Sequence, residues 1–135
     1  MPDVMEAELI EEGGNYKITR ELGVCLLTVW RREDLTSAEG ADLAEKMVRA
    51  MRTQLDDRGV REVILDLSHA PIVMGPRTQA TVGGLIHDIV AAGRKVQVIA
   101  SPSAMGRMQI ERLVRDHGAE HAVFDSIEQA RHAKR

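Results

Sequence analysis

The run Glu62–Leu67 (EVILDL) is apolar at almost every position between its ends, and it constrains the fold more than any other stretch. A strand with one solvated face alternates. One that is apolar throughout is buried on both faces, the habit of a central parallel strand. Parallel neighbours are joined by crossovers, so helices must flank it. The chain from Val63 to Thr78 reads VILDLSHAPIVMGPRT: a strand, a short loop and a Gly75-Pro76 pair. Proline suits the first turn of a helix, where its missing N–H is no loss. In α/β proteins, ligands, phosphate groups and partners usually meet the fold where a strand end feeds a helix N-terminus.

The rest of the chain supplies the flanking elements. Tyr16–Leu22 alternates and Val24–Trp30 is a more apolar run, which together predict a hairpin turning at Gly23. Neither Glu21-Leu22 nor Leu22-Gly23 is a favoured two-residue turn. Thr36-Ser37-Ala38-Glu39 is a capping-box pattern, opening a helix that carries Leu43, Met47, Val48, Met51 and Leu55 at helical spacing and stops near Gly59. A helix from Pro76 buries Val82, Leu85, Ile86 and Ile89 and ends at Gly93; its Gly83-Gly84 pair reads as close helix packing. Lys95–Ala100 predicts a strand. Ser103 caps a helix closed by Gly118, Ala122–Phe124 is a short last strand, and Ser126 with Gln129 caps a final helix. The acidic segment 1–14 is read as a loosely held leader and 15–135 as one domain. The expected fold is α/β, in the order ββαβαβαβα. It is one mixed sheet, an antiparallel hairpin followed by parallel strands, covered largely by about four helices.

Composition narrows the function. A net charge of −3 disfavours a nucleic-acid binder, which needs a basic stripe. Tyr16, Trp30 and Phe124 are the only aromatic residues, too few for stacking bases. Cys25 is the single cysteine and lies in an apolar run, which predicts a buried, inert thiol and a reducing, cytoplasmic setting. No run approaches the roughly 18–20 apolar residues of a membrane span, and the acidic start does not resemble a signal peptide.

No catalytic constellation is legible. The five histidines are scattered and read as exposed; His117 and His121 are separated by Gly118, and no cysteine pair or HExxH supports a metal. Ser68 and His69 are adjacent, a spacing that rarely lets side chains face each other, and no G-x-S-x-G elbow is present. Asp56-Asp57 and Glu11-Glu12 read as solvated. The chain carries no Walker loop or GxGxxG. The expectation is a non-enzyme with no cofactor. What is left is the loop before Pro76, where the helix N-terminus and Arg77 favour an anion and Ser68 and Thr78 are the nearest hydroxyls.

The element order, the strand VILDLS, the loop-to-helix step, the strand KVQVIASPS and the ending VFDSIEQA together resemble the STAS domain of anti-sigma-factor antagonists. The likeness covers Tyr16 to Ala130; the family's G-x-L-D loop is replaced by Arg31-Arg32-Glu33-Asp34-Leu35. The resemblance implies a protein-binding module of a signalling or sigma-factor relay, with an anti-sigma-type switch kinase or another STAS protein as partner. In that family a serine in a D-S-S-G-like loop is phosphorylated. Here the tetrapeptide falls on Met74, Gly75, Pro76 and Arg77, none of which accepts phosphate, and Thr78 is at best a displaced substitute. The expected partner surface is Ile72, Met74, Gly75, Pro76, Arg77 and Gln79. Two alternatives stand beside it. One is a small-ligand sensor for a lipid, nucleotide or other anion near Arg77. The other is a self-assembling subunit or homodimer using the hairpin edge near Cys25–Trp30.

Overall fold

Alternation in the first third of the chain builds an antiparallel meander. The computed structural model describes residues 7–70, 74–119 and 122–132. Strand β1 (Glu8–Glu12) pairs antiparallel with β2 (Tyr16–Glu21), and β2 with β3 (Val24–Trp30). Glu21 faces Val24, so Leu22 and Gly23 alone make the turn, at φ 52° and 84°. Two successive positive φ values give a type I′ turn, whose twist matches the flanking strands. Leucine is an unusual occupant of the first position, which is why the sequence did not advertise it.

Then the crossovers begin. Helix α1 (Ser37–Leu55) leads to β4 (Glu62–His69), α2 (Pro76–Ala91) to β5 (Lys95–Ile99), and α3 (Ala104–Asp116) to β6 (Val123–Phe124); α4 (Ile127–His132) follows. Among the described residues the strands form one six-stranded sheet in simple chain order, with β3, β4, β5 and β6 parallel neighbours. The expected α/β class and mixed sheet are therefore observed. The addition is β1, which occupies part of the segment read as a leader. Its ELIEE sequence carries only two apolar residues, and its strand conformation comes from pairing with β2 rather than from its own pattern.

Right-handed crossovers that all advance in one direction place their helices on one face. The main core accordingly joins Met47, Val48 and Met51 of α1, Leu85, Ile86 and Ile89 of α2, and Ile110 and Leu113 of α3 to the inward residues of the sheet. The other face is packed by α4, through Ala130 and Ile127 against Ile64 and Ile99. Helices thus cover one face broadly and the other only toward β4–β6, less than the sequence suggested; Lys17 of β2 and Leu9 of β1 are exposed. The hairpin edge proposed for self-assembly is also absent: β3 is paired on both sides, and the sheet ends at β1 and β6. No helix among the described residues is long and apolar enough to cross a membrane.

Candidate functional site

At the C-terminal ends of β3 and β4 a cleft of about 760 Å³ opens between the loop after β3, the first half of α1 and the start of α2. Its floor is apolar, formed by Val29, Leu67, Met74 and Val82 with Ala41 and Ala44 of α1. The backbone N–H of Arg31 donates to His69 O at 2.9 Å, tying the exits of β3 and β4 together beneath it.

The two helices that flank the cleft begin differently. Thr36 caps α1 with a complete capping box: its Oγ1 accepts from Glu39 N at 3.1 Å, and its own N–H donates to Glu39 Oε1 at 2.9 Å. Helix α2 has Gly75 at its N-cap, with no side-chain cap among the described residues and no acidic residue in its first turn. Its positive dipole end therefore lies in the cleft lining, with Gly75, Pro76, Arg77 and Thr78. Gly75 is exposed, and a β-carbon there would meet nothing within 4 Å.

The predicted site residues separate on inspection. Gly75, Pro76, Arg77 and Thr78 line the cleft together. Thr78 is half-buried, and among the described residues its hydroxyl has no hydrogen-bond partner. Met74 is not the surface contact expected of it: its side chain is 8% exposed and belongs to the core. Its backbone N–H donates to Gln109 Oε1 at 2.8 Å, and its carbonyl accepts from Gln79 Nε2 at 2.8 Å. Gln79 therefore holds the loop rather than offering itself to a partner. Gln109 was missed because nothing local links it to a loop 35 positions away. Ser68 is turned elsewhere, with its hydroxyl donating to Asp66 Oδ1 at 2.6 Å, and it does not line the cleft. Ile72 lies outside the described residues.

Arg77 is the main electrostatic correction. Its guanidinium bridges to Asp42 at 2.7 Å and Glu45 at 2.9 Å, both on α1. That pairing raises its pKa above the ordinary arginine value and holds Glu45 below the usual carboxylate range. A cation so occupied is not free to hold an anion. Arg32 is likewise paired, with Asp34, whose carboxyl it lowers. Arg31 lines the same rim, exposed, and among the described residues no hydrogen bond or ion pair engages its guanidinium.

Elsewhere the chemistry is quiet. Cys25 is fully buried, with Sγ 3.9 Å from Met51 Sδ, and burial pushes its thiol up to about 11. Among the described residues no three His, Cys, Asp or Glu side chains converge to hold a metal. His117 is half-buried rather than exposed, with Nδ1 2.9 Å from Leu113 O.

An NMR structure of the protein TM1081 has a similar fold, with a TM-score of 0.55 over 97% of this chain and 95% of that one at 18% identity. Likeness at that identity is of fold alone. No family model and no curated protein matches the chain.

Proposed function

We propose that this chain is a non-enzymatic binding module of a signalling or sigma-factor relay, of the STAS type. Its protein partner docks over the mouth of the cleft. The observation carrying this reading is that Gly75, Pro76 and Arg31–Glu33 are exposed in the lining of one cleft, beside a helix start with no side-chain cap among the described residues. A partner carboxylate or phosphate would complete the first turn of α2 as a side-chain cap does elsewhere. The lack of an acceptor at Gly75 and Pro76 makes this module competent without serine phosphorylation at that loop. Thr78 is the hydroxyl that could reintroduce such control, through a dianion at a helix N-terminus. The partner is an anti-sigma-type kinase or another STAS protein. The test is affinity capture with wild type and Gly75→Asp, followed by direct titration of the purified partner. Equal binding by both proteins removes the rim from the interface.

A second reading, a small-ligand sensor, is favoured by the cleft itself. A volume of about 760 Å³ with an apolar floor falls in the range of small-molecule sites. Retained ligand in native mass spectrometry of the purified protein would support it. An apo mass without any thermal shift across lipids, nucleotides and anions would count against it.

A further inference from the structure

We propose that the cleft takes a single acyl chain with an anionic head, the chain lying along α1 and the head at Arg31 and the first turn of α2. This rests on the small-ligand reading and names the class of ligand. The shape comes from α1. Ser37, Ala38, Ala41, Ala44 and Met47 all line the cleft, so the trough follows the helix for about 15 Å at 1.5 Å per residue. Three alanines in that row leave the width that larger side chains would fill. Among the described residues Trp30 is the only aromatic ring in the lining, so the occupant is held by aliphatic contact rather than by stacking.

The cations of the lining differ in how they are engaged. Arg31 has no charged partner among the described residues, whereas Arg32 and Arg77 are neutralised by Asp34 and by Asp42 with Glu45. Among the described residues Glu33 is the one carboxylate in the lining, and it is exposed. The first turn of α2, which has no side-chain cap among the described residues, adds donors to the same lining. An aliphatic trough whose lining also carries unpaired donors matches a fatty carboxylate or an acyl phosphate.

The full chain is titrated with laurate below its critical micelle concentration, with dodecanol as the headless control and with inorganic phosphate as the tailless one. The expected result is saturable one-to-one binding of laurate with a raised Tm, weaker binding of dodecanol, and none of phosphate. Arg31→Gln weakens laurate several-fold and leaves dodecanol unchanged, and Ala44→Leu blocks both. Should Ala44→Leu not fold, the Arg31→Gln comparison decides alone, because Arg31 is exposed and its side chain holds nothing in place. Dodecanol binding as tightly as laurate overturns the anionic head but leaves a ligand site. Failure of both overturns the proposal and the ligand reading together. Co-sedimentation with phosphatidylglycerol vesicles identifies a lipid leaflet as the source of the chain; laurate binding without co-sedimentation identifies a free amphiphile. Either supports the proposal.

Discussion

The imidazole of His117, at the end of α3, lies over Gly83 in the middle of α2 so closely that a β-carbon on Gly83 would fall 2.4 Å from His117 Cε1. Glycine in a helix interior ordinarily costs about 1 kcal/mol relative to alanine, so Gly83→Ala would normally stabilise. Here the sign reverses. The ring must move, breaking its contact with Leu113 O, and overpacking of this kind costs about 1–3 kcal/mol. Chemical denaturation should show Gly83→Ala less stable than wild type, and the double variant with His117→Ala should recover most of the loss. Two losses that simply add would show that the ring does not pack there.

The β2–β3 turn offers the opposite case. Leu22 sits at φ 52° with its side chain 66% exposed, so it bears left-handed strain and gains little burial in return. Asparagine tolerates that region and is favoured in type I′ turns. Leu22→Asn is expected to raise stability by about 0.5–1 kcal/mol. The Arg61 contact with Leu22 O at 3.3 Å uses the backbone and survives the change. A lowered Tm would contradict the turn assignment.

Tyr16 is the chain's only tyrosine, fully buried, with its hydroxyl donating to Glu11 Oε2 at 2.5 Å. Burial first, and the Glu11 hydrogen bond and charge second, push its phenol up to about 12 from 10.0. The folded state therefore prefers the neutral phenol. The stability this contributes is fully present below pH 10 and is lost as pH rises through about 12. Ultraviolet titration reads this one group without interference, and tyrosinate absorbance rising near pH 10 in the folded protein would refute it. Tyr16→Phe should cost about 1 kcal/mol at neutral pH and flatten the alkaline decline.

Arg77 links α1 to α2 through two exposed carboxylates, a geometry that salt screens. Arg77→Met is expected to lower Tm at low ionic strength and to match wild type more closely as salt is added. A deficit independent of salt would mean that Arg77 acts through packing of its stem instead.

These relationships differ in how far the sequence disclosed them. The Thr36–Glu39 capping box, Pro76 at the start of α2 and the Ser103 cap are each settled within four residues, and local pattern reads them correctly. The doubly buried strand announced the parallel sheet for the same reason: its environment is written along its own length. Strand β1 was illegible because its order comes from Lys17–Arg20 across the ladder. The site was half legible. Gly75 to Thr78 could be located, but the pairing of Arg77 with residues 32 and 35 positions earlier, and the pinning of Met74 by Gln109, exist only once α1, α2 and α3 pack. The cleft itself follows from the alanines of α1, which in sequence look like ordinary helix filler.

Gly75 separates stability from binding. Its backbone, at φ −69° and ψ 168°, already has the extended geometry of an N-cap, and a side chain there meets open space. Aspartate at this position can accept from the first-turn N–H groups that are now free and sits favourably at the positive end of the dipole. Gly75→Asp is therefore expected to stabilise the protein by a few tenths of a kcal/mol, up to about 1 kcal/mol at low salt. The same carboxylate occupies the donors assigned to the partner or to the anionic head, and repels both. Binding of the captured partner, and of laurate, should fall while Tm rises. A variant that is more stable and binds as well as wild type would move the functional surface away from α2 altogether. A variant that loses both would show that Gly75 serves the fold rather than the site.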